Sequence, residues 1–129
     1  MKKKVKKEAL VKAGYSLFLN KFLESSVKKI NDIQHPLFRE TLKEMNISTP
    51  LNIASHADIP SGTGLGSSGS FTVSLVSALA YLKNIKMKKE KLAETACDIE
   101  IRKLNEPVGK QDQYVATYGG LNSYDFQKN

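Results

Sequence analysis

The sequence predicts an α+β fold that is rich in helix and carries an incomplete sheet. Three observations lead there. Apolar residues recur at helical spacing over most of the chain. Only two segments, Leu51–His56 and Leu121–Phe126, read as strands, and no hairpin joins them, so they make a poor sheet alone. A glycine- and serine-rich segment, Asp58-Ile59-Pro60-Ser61-Gly62-Thr63-Gly64-Leu65-Gly66-Ser67-Ser68-Gly69-Ser70, separates the first strand from the most apolar stretch.

The elements follow in order. From about Lys4 to Ile30, Val11, Tyr15, Phe18 and Phe22 recur at spacings of three or four, with Leu10, Ala13 and Leu17 widening the face. That predicts a first helix, in which Gly14 is a blemish. His35-Pro36 marks a boundary, because a residue before proline avoids the helical region. Leu37–Met45 reads as a short helix, Asn46–Thr49 as a turn and Leu51–His56 as a strand. Ser67–Lys83 is a helix with Phe71, Leu75, Val76, Leu79 and Leu82 on a wide apolar face. Lys88–Leu104 is a further helix, with Leu92, Ala96, Ile99 and Lys103 in register, ended by Asn105-Glu106-Pro107. Lys110–Tyr118 is a short helix, Gly119-Gly120 breaks it, and Leu121–Phe126 is the second strand.

The 129 residues suffice for one small domain. The formal net charge of +7 suits phosphorylated ligands, anionic lipid or nucleic acid. Arginine occurs only at Arg39 and Arg102, and aromatics are not interleaved with the lysines, so a solvated lysine surface is favoured over a nucleic-acid footprint. The apolar run Phe71–Leu82 is too short to span a bilayer, and the lysine-rich start is followed by no apolar leader core. Cys97 is the sole cysteine; it falls in a helical pattern and reads as a small buried residue. These features point to a cytoplasmic location without membrane contact.

The glycine-serine segment is the candidate functional feature. A glycine-rich loop opening a helix lets the backbone approach a phosphate and aims the first N–H groups at it. The plain alternative is a loop followed by a serine-capped core helix, but a cap accounts for one serine, not for the spaced glycines, the second serine and the proline. The P-loop pattern fails because no lysine follows Gly66 or Gly69. Gly64-Leu65-Gly66-Ser67-Ser68-Gly69 matches the dinucleotide fingerprint literally, yet Pro60-Ser61-Gly62-Thr63 separates it from the strand and no second strand follows the helix.

The third design fits best. Pro60-x-x-x-Gly64-Leu65-Gly66-Ser67-Ser68-Gly69-Ser70 resembles the ATP-binding motif of the GHMP kinases, Pro-x-x-x-Gly-Leu-Gly-Ser-Ser-Ala/Gly-Ala/Ser. Glu100, in Asp98-Ile99-Glu100-Ile101-Arg102, is followed twelve residues later by Asp112, in Gly109-Lys110-Gln111-Asp112-Gln113. That order resembles the family's helical glutamate and its Gly-x-x-Asp-Gln/Asn turn. The resemblance implies ATP held by Pro60, Gly62, Gly64, Leu65, Gly66, Ser67, Ser68 and Gly69. It implies Mg2+ on Ser68 and Glu100, and Asp112 as the catalytic carboxylate facing the acceptor hydroxyl. The chemistry suits those residue types: magnesium takes hard oxygen ligands, few of them from protein when phosphates supply the rest, and a carboxylate near a hydroxyl can accept or orient its proton.

Pro107-Val108-Gly109-Lys110-Gln111-Asp112-Gln113-Tyr114, Tyr118-Gly119-Gly120-Leu121-Asn122, His35-Pro36-Leu37-Phe38-Arg39-Glu40 and Ser55-His56-Ala57-Asp58-Ile59-Pro60 resemble the branch that phosphorylates D-glycero-D-manno-heptose 7-phosphate. The family's first sugar-binding strand and its later glycine-rich motif have no counterpart in these residues. Residues 1–129 are therefore expected to be a single, partial N-terminal ATP-binding domain without the C-terminal domain, in the α+β fold also found in a ribosomal protein domain. Open sheet edges would then favour self-association or a complementary chain. Three functions stay open: a sugar-phosphate kinase or its nucleotide-binding part, a catalytically inactive remnant that binds a partner, and a basic nucleic-acid-binding module, which the scarce arginine disfavours.

Overall fold

A computed structural model describes residues 15–19, 22–58 and 63–127. Two compact units make up the chain, Met1–Asp58 and Ile59–Asn129.

The first unit holds a three-stranded sheet in the order β2-β1-β3. Strands β1 (Tyr15–Leu19) and β2 (Phe22–Val27) are antiparallel, with a register shift between Leu17 and Phe18. Strand β3 (Asn52–Ser55) lies parallel to β1, with Ser16 opposite Asn52 and Leu19 opposite Ser55. A parallel neighbour needs a long crossover. Here it runs from β2 through a single 3-10 turn at Ile30–Asp32 and helix α1 (Pro36–Glu44). The boundary expected at His35-Pro36 is the helix start: His35 Nδ1 accepts from the Phe38 N–H at 3.4 Å, and Pro36 occupies the first helical position, where a missing N–H costs nothing. Ile33, Phe38, Leu42, Met45 and Ile47 are buried around this helix.

The helix predicted over Lys4–Ile30 does not form where residues are described; Tyr15–Leu19 and Phe22–Val27 are antiparallel strands. Its earlier part lies outside the described residues. A spacing of four between Phe18 and Phe22 fits a helix, but it also fits two paired strands, in which Leu19 lies opposite Phe22 and Phe18 opposite Leu23.

The second unit is helical. Helix α2 (Ser67–Leu82) buries Thr72, Val73, Leu75, Val76, Leu79 and Ala80. Helix α3 (Lys89–Cys97) buries Ala93, Thr95, Ala96 and Cys97, and its small side chains bring it close to its neighbours. The stretch predicted as one helix to Leu104 changes character at Asp98: Asp98–Lys103 is π-helical and keeps Ile99 and Glu100 buried. Helix α4 (Gln111–Tyr118) packs on both α2 and α3. The strand predicted at Leu121–Phe126 is absent; that stretch is irregular. Its alternating apolar residues serve packing instead: Tyr124 and Phe126 set their rings 5.6 and 5.1 Å from the Tyr114 ring, both edge-on. Among the described residues, no helix is long and apolar enough to cross a membrane.

Removing Leu79, buried on α2, is expected to lower the free energy of unfolding by about 2–5 kcal/mol in Leu79→Ala. Tyr81→Ala on the same helix, 86% exposed, should change it by about 0.5 kcal/mol or less. Urea unfolding of both variants checks the contrast.

Candidate functional site

The site forms where α2 begins. Gly66 is the residue before the helix and sits in the left-handed region at φ 72°, as Gly64 does at φ 73°. Among the described residues no side chain caps the helix, and its first internal hydrogen bond runs from the Ser70 N–H to the Gly66 carbonyl. The serine cap of the plain alternative is thus not formed: Ser67 lies inside the helix and Gly66 occupies the cap position. This leaves the leading N–H groups of a 16-residue helix to an outside acceptor, at the end where the helix dipole favours negative charge.

Ser68, exposed in the first turn, donates from Oγ to Glu100 Oε2 at 2.8 Å. Glu100 is only 1% exposed, and its other oxygen, Oε1, is buried without a hydrogen-bond partner among the described residues. A buried carboxylate oxygen without a partner is costly unless something electropositive meets it. Glu100 lies within the π-helical segment, where the backbone bonds reach one residue further than in an α-helix: the Leu104 N–H bonds to the Ile99 carbonyl. Such single-turn departures are frequent at functional sites. A hydroxyl and a carboxylate 32 residues apart thus meet at an open helix N-terminus, a hard-oxygen donor set of the kind magnesium takes.

Asp112 lies against the same loop. A Cβ placed on Gly66 would lie 3.2 Å from Asp112 Cγ and 3.4 Å from its Oδ2. One on Gly69 would lie 2.9 Å from Asp112 Cβ and 3.3 Å from the Gln113 backbone nitrogen. Gly69 is buried, so its small size admits α4 rather than presenting backbone to a ligand. Gln113, beside Asp112, is 1% exposed and keeps Oε1 without a partner among the described residues. The sequence reading did not place it in the site, and a glutamine in a polar turn gives no signal of burial.

Of the predicted site residues, the structure brings Gly66, Ser68, Gly69, Glu100 and Asp112 together. Ser67 opens α2, Leu65 is 67% exposed, and nothing comes within 4 Å of a Cβ built on Gly64. Pro60 and Gly62 lie outside the described residues.

A polar cluster lies between α3 and α4. Tyr114 Oη donates to Glu94 Oε1, and Lys110 Nζ reaches the same oxygen at 3.5 Å. The Tyr114 hydrogen bond holds the Glu94 carboxyl below the ordinary carboxylate range despite some desolvation, and the same bond raises the Tyr114 hydroxyl. A shallow cavity of about 70 Å³ next to it is lined by Glu94, Cys97, Asp98, Ile101, Arg102 and Lys110. Burial pushes the Cys97 thiol up to about 11, which suits the small buried residue read from the sequence rather than a nucleophile.

The model of the GHMP kinases N terminal domain matches residues 25–120. The D-glycero-alpha-D-manno-heptose 7-phosphate kinase of Campylobacter jejuni subsp. jejuni serotype O:2 is 35% identical over 100 residues, covering 76% of this chain and 29% of the relative. The homoserine kinase of Staphylococcus haemolyticus is 31% identical over 106 residues, covering 81% of this chain and 32% of the relative. This chain thus spans about a third of the length of such relatives. A solved D-glycero-D-manno-heptose 1-phosphate kinase from Bacteroides thetaiotaomicron superposes with a TM-score of 0.70 over 84% of this chain and 39% of that one, at 21% identity, and so shares the fold.

Gly69→Ala should cost about 1–3 kcal/mol, because the added methyl overpacks against Asp112. Gly66→Ala should cost about 1–2 kcal/mol, from its left-handed backbone. Gly109→Ala, with open space and no left-handed φ, should change stability by about 1 kcal/mol or less. Denaturant midpoints separate the three. The depressed Glu94 group contributes stability that is present above its ordinary value of 4.5 and is lost as pH falls through its lower folded value. The stability difference between wild type and Glu94→Gln, from unfolding curves between about pH 6 and pH 3, should therefore shrink toward acid.

Proposed function

Because the chain belongs to the GHMP kinase family, we propose that it is the nucleotide-binding part of an ATP-dependent small-molecule kinase whose acceptor is a sugar phosphate of the heptose 7-phosphate kind. The observation that carries this reading is the meeting of Ser68 and Glu100 at the uncapped start of α2, with Asp112 seated against the same glycines.

Each residue has a physical task. The first N–H groups of α2 and the glycine backbone bind the polyphosphate, whose charge complements the helix end. Ser68 and Glu100 would hold Mg2+; the orphaned Glu100 Oε1 supports this, since a bound cation would supply the missing electropositive partner. The ion would supply charge neutralisation on the phosphates. Asp112 orients the acceptor hydroxyl and takes its proton while the oxygen attacks the terminal phosphorus. The glycine contacts keep this carboxylate beside the loop, so orientation is set before substrate arrives.

The sugar-phosphate acceptor draws on the heptose kinase relative and on the excess of basic residues, formal net charge +7. Such substrates place the protein in the cytoplasm. Self-association or pairing with a complementary chain goes with this reading, because the edges of β2 and β3 that face away from β1 are without a partner strand among the described residues. The second reading is an inactive remnant that binds a partner through those same edges.

Calorimetric titration with magnesium–ATP tests the proposal. Wild type should bind saturably, and Ser68→Ala and Glu100→Gln should each weaken binding about tenfold or more, an effect worth about 1.4 kcal/mol. Chelating magnesium should remove the difference between wild type and variants. No binding at millimolar nucleotide would contradict the proposal. Binding without phosphoryl transfer to heptose 7-phosphate would favour the remnant.

A further inference from the structure

Helix α4 has eight residues, too few to be stable alone in water, and the residue before it, Lys110, makes no side-chain cap. Its first turn nevertheless carries Asp112. Tertiary contacts must therefore fix that turn, and the structure shows two sets on different faces. On one face, Asp112 meets the glycine surface of α2 at Gly66 and Gly69, a contact of shape without a side-chain hydrogen bond among the described residues. On the other, Lys110 and Tyr114, four residues apart and so neighbours on the helix surface, both bond to Glu94 of α3.

We propose that Glu94 and Tyr114 are positioning residues for Asp112. Glu94 ties the first turn of α4 to α3 and so presses the Asp112 carboxylate onto the glycine seat. The Tyr114 bond is charge-assisted and half-buried, which makes it the stronger of the two ties. The Lys110 contact is longer, at 3.5 Å between side chains that are each 43% exposed, and contributes less. Tyr114 is itself braced: its ring packs against Tyr118, Tyr124 and Phe126, so the hydroxyl is delivered to Glu94 by a rigid aromatic group. Among the described residues, neither hydrogen-bonds to the nucleotide loop, so neither is expected to contribute directly to nucleotide binding.

This inference rests on Asp112 as the carboxylate that faces the acceptor. Its test uses the full chain with Glu94→Ala, Glu94→Gln and Tyr114→Phe, magnesium–ATP, and D-glycero-D-manno-heptose 7-phosphate as acceptor. Three quantities are read: hydrogen exchange of the α4 amides, magnesium–ATP affinity, and kcat. Glu94→Ala should speed exchange at Val115–Tyr118 while magnesium–ATP affinity stays within about twofold, and kcat should fall by about tenfold to a hundredfold, the scale expected when a reacting group is misplaced by about 1 Å. Tyr114→Phe should behave alike, and Glu94→Gln, which keeps an acceptor oxygen, should recover part of the loss. Unchanged α4 exchange in Glu94→Ala, or an unchanged kcat in both Glu94→Ala and Tyr114→Phe, would overturn the proposal. If the wild-type chain neither binds nor transfers phosphoryl, the kinase reading fails by itself, and the exchange comparison still decides whether Glu94 holds the turn.

Discussion

The constraint on which the candidate site depends is the close approach of α4 to α2 at Gly66 and Gly69. A methyl group at Gly69 would lie 2.9 Å from Asp112 Cβ, inside any normal contact. The motif's glycines therefore act in two ways. Gly66 supplies the left-handed residue that ends the loop and leaves the α2 N-terminus uncapped, as an anion site requires. Gly69, one turn into the helix and buried, gives Asp112 its place. A short stretch of sequence thereby sets both the glycine-led start of α2 and the position of the carboxylate beside it.

The second arrangement that follows from this packing is electrostatic. Glu100 is a carboxylate with 1% exposure, partnered by one serine hydroxyl. Burial of this kind is unfavourable in the absence of a compensating charge. The π-helical turn that carries it follows directly on α3 and closes that helical stretch, a local departure of a kind frequent at functional sites. Together with the orphaned oxygen of Gln113, this places the polar strain of the second unit around the start of α2 rather than spread across its surface.

Much of this was legible in the sequence, and the parts that were not have physical reasons. The helices Pro36–Glu44, Ser67–Leu82 and Gln111–Tyr118 follow their apolar spacing and their His-Pro, glycine-serine and Gly-Gly boundaries closely. Strands β1 and β2 read as helix in the sequence because two aromatics four residues apart fit a helical turn as well as two paired strands; the pairing of β1 with β2 and β3 distinguishes them. The expected strand at Leu121–Phe126 does not form; Tyr124 and Phe126 make ring contacts with Tyr114 instead. Ser68, Glu100 and Asp112 could be named from the order of motifs, as could the family. The contact of Gly69 with Asp112, the burial of Gln113 and the Glu94–Tyr114 bond could not, because each joins residues far apart in sequence through packing that no local pattern encodes.

Whether a magnesium-bound nucleotide sits at the start of α2, within reach of Ser68, Glu100 and Asp112, is tested by replacing magnesium with manganese, whose paramagnetism broadens nearby amide resonances in an NMR titration with ATP. Broadening should begin at Gly66–Gly69, Glu100 and Asp112, while Tyr81 and Leu82, about 20 Å away at the far end of α2, keep their intensity at low occupancy. Broadening centred on the cavity beside Cys97 and Arg102, or uniform loss across the chain, would contradict it.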